Sequence, residues 1–177
     1  MCGIAGIMRR DGHAPDAALL DGLEQALRHR GPDGEGRYFS GSLGLVQTRL
    51  AIIDLETGDQ PLYEPDGAAM ISNGEIYNYL ELREELEGPD GIVAFSTHSD
   101  GEPALHLYRR EGSDFAEHLR GMYAVAISDP DQAQLVLARD PFGIKPLYYA
   151  ETADSFVFAS EPQALIKSGL VSPQVLP

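Results

Sequence analysis

Cysteine occurs once in the 177 residues, at position 2. No internal disulfide can form, and a reducing compartment is permitted. Cations are scarce as well: 13 Lys+Arg stand against 28 Asp+Glu, for a formal charge of −15 and a pI near 4.5. Phosphate binding needs clustered cations, so a nucleic-acid duplex or an anionic membrane surface would repel this chain. There is no apolar run of about 18 residues to span a bilayer. No basic stretch followed by a short apolar segment opens the chain, so no secretory signal is read. The expected compartment is the cytoplasm. His13, His29, His98, His106 and His118 lack ligand spacing with carboxylates or cysteine, and no metal site is expected. A G-x-x-x-x-G-K-S/T loop is missing, and Asp33-Gly34-Glu35-Gly36 reads as a turn and not a phosphate cradle.

What is present suffices for a core. The chain is 43% hydrophobic, and chains of this length usually make one domain. Such a domain buries about 70% of the surface its unfolded chain exposes. Cys2 to Met8 is short and apolar and reads as a buried strand. Asp16 to Arg30 reads as a helix, with Leu19, Leu20, Leu23, Ala26 and Leu27 at helical spacing and Asp16 as N-cap. Arg28, His29 and Arg30 would fill its last turn, where cations suit the macrodipole, before Gly31-Pro32 stops it.

Strand-like stretches follow at Gly36–Phe39, Leu43–Ile53 and Ala68–Ser72. A second helix should start at Asn78, with a capping-box-like Asn78/Glu81 spacing and an end at Gly88-Pro89. A third follows Ser99-Asp100 and ends at Gly112. A helical turn at Asp114–Leu119 leads into the strand Met122–Ser128, which pairs back with Leu135–Ala138. Pro146–Ala150 and Phe156–Ala159 form a last strand pair. Antiparallel runs with helices grouped between them predict an α+β fold, an αββα four-layer sandwich of two antiparallel sheets. The segment from Lys167 to Pro177 carries no strong pattern. The expected domains are therefore 1–166 and a linker, or the start of a missing second domain, over 167–177.

Chemistry centres on Cys2. A lone cysteine is most often an inert buried hydrophobe, but position alters that reading. Methionine before a small residue is commonly removed, which would leave Cys2 with a free α-amine of pKa near 7.7–8.0. An N-terminal nucleophile can be activated by its own amine without a histidine.

The ordered segments strengthen this. They are Met1-Cys2-Gly3-Ile4-Ala5-Gly6-Ile7, Arg28-His29-Arg30-Gly31-Pro32-Asp33-Gly34, Arg49-Leu50-Ala51-Ile52-Ile53-Asp54, Asn73-Gly74-Glu75-Ile76-Tyr77-Asn78 and Ser99-Asp100-Gly101-Glu102. Leu119-Arg120-Gly121-Met122-Tyr123-Ala124, then Arg139-Asp140-Pro141-Phe142-Gly143-Ile144-Lys145-Pro146-Leu147-Tyr148-Tyr149, and finally Phe158-Ala159-Ser160-Glu161 complete the series. Over essentially the whole chain they resemble the glutaminase domain of asparagine synthetases, a class II (N-terminal-nucleophile, Ntn-hydrolase) glutamine amidotransferase.

The resemblance implies roles at matching positions. Cys2 would be the nucleophile that attacks the glutamine side-chain amide. Asn73 and Gly74 would form the oxyanion hole, where a bare glycine N–H can approach the developing charge. Read alone, Asn-Gly is a hairpin turn. Arg49 would clamp the glutamine α-carboxylate, with Leu50 to Ile53 lining the same pocket; read alone, it is a solvated strand arginine. Glu75 and Asp100 would receive the ammonium group, although Asp100 could also cap the third helix. Two positions depart from the family pattern: Gln47 where many members carry histidine, and Gly101 where threonine, valine or cysteine is common. Both bear on pocket shape and rate more than on reaction type.

The implied reaction is glutamine plus water to glutamate plus ammonia, through a Cys2 γ-glutamyl thioester. The implied partners are L-glutamine and an ATP-dependent synthetase domain, C-terminal or separate, and a homodimer is left open. No cofactor is expected in this domain, with ATP and Mg needed only in the missing synthetase domain, whose Ser-Gly-Gly-x-Asp-Ser loop this chain lacks. The alternatives are a stand-alone amidase of the same fold and a catalytically silent regulatory or binding domain.

Overall fold

The inner strands are apolar on both faces, because each sheet is covered twice. In the computed structural model, which describes residues 1–65, 67–88 and 93–173, the order begins β1 (Gly3–Arg9), α1 (Ala17–Leu27), β2 (Gly34–Ser40), β3 (Leu43–Arg49) and β4 (Leu62–Tyr63). It continues with β5 (Ala69–Ile76), α2 (Tyr79–Glu87), α3 (Glu102–Glu111) and a 3₁₀ helix (Gly112–His118). β6 (Gly121–Asp129), β7 (Gln134–Arg139), β8 (Tyr148–Glu151), β9 (Ser155–Ala159) and α4 (Pro162–Lys167) complete it. One sheet runs β2-β3-β1-β9-β8 and the other β4-β5-β6-β7, with antiparallel pairing throughout.

Three apolar layers hold the stack together. Leu20, Leu23 and Leu27 of α1, with Ala164 and Leu165 of α4, pack on Ala5, Ile7, Val46 and Val157. The other faces of the same strands present Ile4, Leu45 and Phe158 to Ile71, Ala124 and Ala126 between the sheets. Beyond the second sheet, Met70, Val125 and Ile127 meet Leu82 and Leu86 of α2 and Ala104, Leu105 and Leu107 of α3. Burying each large aliphatic side chain is worth roughly 1.5–3 kcal/mol. The architecture is the α+β, αββα sandwich that the strand pattern predicts.

Several local expectations shift. α1 ends at Leu27, so Arg28 to Arg30 lie beyond it and not in its last turn. Asp16 does cap it, accepting the Ala18 N–H at 2.9 Å. β3 stops at Arg49 instead of running to Ile53. β5 continues past Ser72 through Asn73-Gly74, which pair with Ala124 and Tyr123 as strand and not as a turn. Asn78 makes no capping hydrogen bond; its amide joins the His118 carbonyl and the Arg120 N–H, anchoring the chain that enters β6. α4 has no counterpart in the expected elements. Leu170 and Val171 after it pack on the layer beneath α1. Pro89, expected to stop the second helix, and Pro177 lie outside the described residues.

Candidate active site

The two sheets open a cleft at one end of the sandwich. Cys2 immediately precedes β1, whose Gly3 pairs with Thr48 near the end of β3, so Cys2 lies beside the chain as it leaves that strand. The Leu50 N–H donates to Cys2 Sγ at 3.4 Å, and the thiol can donate to the Leu50 carbonyl at 3.6 Å. Arg30 Nε donates to the Cys2 carbonyl at 2.9 Å while its Nη1 meets Glu161 Oε1 at 2.7 Å. Gly31 makes this reach feasible. A Cβ there would stand 2.3 Å from the Thr48 carbonyl carbon, so only glycine lets the turn after α1 press against β3.

The facing wall comes from β5 and the approach to α3. A cleft of about 270 Å³ is lined by Cys2, Arg49, Leu50, Ile53, Asn73, Gly74, Glu75 and Asp100 together with Met1, Ile52, Gly58, Gln60, Ser72, Ser99, Met122 and Lys145. All eight residues singled out from the sequence thus border one cavity. Asn73 is 1% exposed, and its Nδ2 has no hydrogen-bond partner among the described residues. A buried amide donor without a partner costs about 1–3 kcal/mol, and it stands ready for an acceptor in the cleft. Gly74 has a structural reason besides any approach to an oxyanion. Its Cβ would fall 2.2 Å from the Met122 carbonyl oxygen, so the crossing of β5 and β6 itself demands glycine.

Charge divides the cleft. Arg49 is nearly buried, pairs with Asp59 through Nη1 at 2.7 Å, and donates through Nη2 to the Asp54 carbonyl. The Asp59 side chain is 83% exposed, so its hold on Arg49 is screened and exchangeable. Across the cavity Asp100 accepts the Ile76 N–H at 2.8 Å and does not cap α3, whose N-cap is Gly101. Burial raises the Asp100 carboxyl above its ordinary range; the Ile76 N–H opposes the rise and the neighbouring Glu75 charge adds to it. Two carboxylates that repel each other in a half-buried slot are relieved by an ammonium group.

Some residues that shape the site escaped the sequence reading. Glu102, on the first turn of α3, accepts the N–H groups of Ser96 and Thr97 and the Thr97 hydroxyl at 2.6–2.8 Å, holding the loop ahead of Asp100. Asp140 accepts the N–H groups of Ile144 and Lys145 and so folds the loop that brings Lys145 to the cleft. Arg30 stands in one of the ordered segments, beyond the last periodic leucine of α1 and next to a Gly-Pro stop, but no role was legible there. Among the described residues, no three His, Cys, Asp or Glu side chains group as a metal site. No helix there is long and apolar enough to cross a membrane.

The family described as the glutamine amidotransferase domain matches residues 1–176. The chain belongs to that family. Asparagine synthetase (glutamine-hydrolyzing) 1 of Bacillus subtilis (strain 168) is 45% identical over 170 residues, covering 94% of this chain and 27% of that protein. A probable asparagine synthetase (glutamine-hydrolyzing) of Dictyostelium discoideum is 41% identical over 182 residues, covering 100% of this chain and 32% of that protein. This amidotransferase domain thus spans about a quarter to a third of the curated relatives it matches. Among solved structures, the allosteric regulatory enzyme of purine biosynthesis superposes with a TM-score of 0.79 at 25% identity, over 95% of this chain and 43% of that one. Glutamine phosphoribosylpyrophosphate amidotransferase from B. subtilis gives 0.75 at 25% identity, over 95% and 44%. The fold is of the N-terminal-nucleophile type expected from the sequence.

Proposed function

We propose that this amidotransferase domain hydrolyses L-glutamine to glutamate and ammonia through a γ-glutamyl thioester on Cys2. The observation that carries the reading is the convergence of Cys2, a buried Asn73 Nδ2 without a partner among the described residues, one arginine and two acids on a single cleft. A zwitterion needs a cation and an anion on opposite sides of its α-carbon. Arg49 receives the carboxylate, Glu75 and Asp100 receive the ammonium, and Leu50 and Ile53 wall the methylene chain. Held so, the carboxamide lies against Cys2 Sγ.

The sulfur attacks the amide carbon, and the tetrahedral oxygen takes hydrogen bonds from Asn73 Nδ2 and the Gly74 N–H. Such donors are each worth about 2.7–4 kcal/mol of barrier. The thiol proton passes by way of the Cys2 α-amine, freed by loss of Met1, to the departing nitrogen. The C–N bond breaks and ammonia leaves. Water then attacks the thioester, the C–S bond breaks, and glutamate departs with the proton returned to sulfur.

In the intact protein the ammonia would serve an ATP-dependent synthetase portion of the asparagine synthetase type, and ATP and Mg would belong there. The support is the name and length of the curated relatives. Residues 1–166 would form the glutaminase domain, with 167–177 leading onward, in a cytoplasmic enzyme.

Ammonia release from glutamine, asparagine and γ-glutamyl peptides tests the reading. Release from glutamine alone, abolished in Cys2→Ala, is the expected result. Preference for peptides would make it an amidase of another class, and no turnover by protein lacking Met1 would make it a silent module.

A further inference from the structure

Arg49 is the last residue of β3 and Asp100 lies in the loop ahead of α3, and something must set the distance between them. Residue 54, in the loop after β3, touches both Arg49 and the loop that carries Asp100. Its backbone carbonyl accepts Arg49 Nη2 and the Gly58 N–H, the latter at 3.2 Å. Its carboxylate accepts the Thr57 N–H at 2.9 Å and the Thr57 hydroxyl at 2.6 Å, closing the loop after β3 on itself. The same carboxylate reaches across to the His98 N–H at 2.9 Å, two residues before Asp100. Thr57 Oγ1 lies 3.2 Å from that N–H as well. Asp54 does this from a left-handed backbone, φ 52°, which Asp and Asn tolerate better than other side chains.

From the other side, the 96–100 loop is held by its own neighbours. Glu102 takes its Ser96 and Thr97 N–H groups, and Arg83 donates to the Thr97 carbonyl at 2.6 Å. Those bonds shape the loop but do not tie it to Arg49. We infer that Asp54 is a positioning residue that sets the span between the cationic and anionic ends of the cleft, and so selects an α-amino acid over amides carrying one charged end. This rests on the glutamine reading above. Asp54 itself does not line the cleft.

Asp54→Asn keeps the backbone preference but offers one acceptor oxygen for three donors, and Asp54→Gly suits φ 52° while removing the carboxylate. Each is compared with wild type, after Met1 removal, on L-glutamine, on glutaramate (no amine) and on 4-aminobutanamide (no carboxylate). Losing a charge-assisted hydrogen bond should raise the glutamine KM roughly ten- to hundred-fold. kcat should stay within about threefold, because the bond is the same in ground and transition states. KM for the single-ended amides should stay within about threefold, since neither needs both ends held at once. An unchanged glutamine KM, a fall confined to kcat, or equal losses on all three amides overturns the inference and leaves the glutamine reading standing. Wild-type protein that neither binds nor hydrolyses glutamine overturns both.

Discussion

Arg30 Nε grips the carbonyl of Cys2 at 2.9 Å, so the proposed nucleophile is anchored on the C-terminal side of its own α-carbon. Among the described residues the nitrogen side has no such anchor, and Met1 ahead of it is 56% exposed. Removing Met1 therefore leaves Cys2 in position while turning a non-basic amide nitrogen into an amine.

We predict that protein retaining Met1 lacks glutaminase activity and that protein starting at Cys2 has it. Intact mass measured beside an ammonia-release assay decides the matter. Full turnover by a homogeneous Met1-bearing sample would remove the α-amine from the mechanism.

Particular residues show where sequence patterns stop being informative. The strand cores of β1, β6 and β9 were legible because apolar runs between turn signals have few other fates. The end of β3 was not, since the apolar run Leu50 to Ile53 reads as strand, but Leu50, Ile52 and Ile53 wall a cleft. Asn73-Gly74 carries a strong local turn signal, yet pairing with Ala124 and Tyr123 overrides it. α4 is six residues long, too short to show a helical period. The eight site residues stood out through ordered motifs. Asp54 and Glu102 close two of those motifs, yet their roles were not legible, because most of their partners are backbone N–H groups, which leave no residue-type pattern.

Acid should loosen the loop in front of Asp100. Burial alone would raise the Glu102 carboxyl, but the His106 ring 3.7 Å away and hydrogen bonds from Thr97 and Ser96 outweigh it and hold the group at about 2. A depressed folded value means the stabilisation is fully present above the ordinary carboxylate range and is lost as pH falls through about 2. By linkage the contribution is at most about 3 kcal/mol. Glu102→Gln should unfold at a lower temperature than wild type at pH 7, with the gap closing as pH approaches 2. Thermal melts across that window measure it, and a gap independent of pH would deny Glu102 this role.

Gln47 offers a test of the opposite sign. It is 1% exposed in β3, and neither side-chain amide atom has a partner among the described residues. Methionine has similar length and no group to satisfy, so Gln47→Met should stabilise the fold by about 1–3 kcal/mol. At this chain length each kcal/mol moves the melting temperature by roughly 2–4 °C. Since Gln47 does not line the cleft, the glutamine KM should be unaffected. A lower melting temperature would mean that the amide is hydrogen-bonded in solution.

The binding and chemical roles proposed for the cleft should separate kinetically. Arg49 and Asp100 are assigned to groups of glutamine that do not change during reaction, so their contacts are equally strong in ground and transition states. Removing one partner of a buried charge pair costs about 2–5 kcal/mol, equivalent to roughly 30- to 5,000-fold in affinity. Arg49→Ala and Asp100→Ala should therefore raise KM with little change in kcat. Asp100→Ala also frees the Ile76 N–H, so Asp100→Asn, which can keep that bond, separates lost charge from a disturbed β5. Asn73 is assigned to an oxygen that becomes charged only as the C–S bond forms. Asn73→Ala should lower kcat by about 10²- to 10³-fold and leave KM near wild type. Steady-state kinetics on the three positions read the split directly. Equal effects on KM and kcat for both groups, or an unchanged KM in Arg49→Ala, would mean that the cleft holds glutamine in another orientation even with Cys2 as nucleophile.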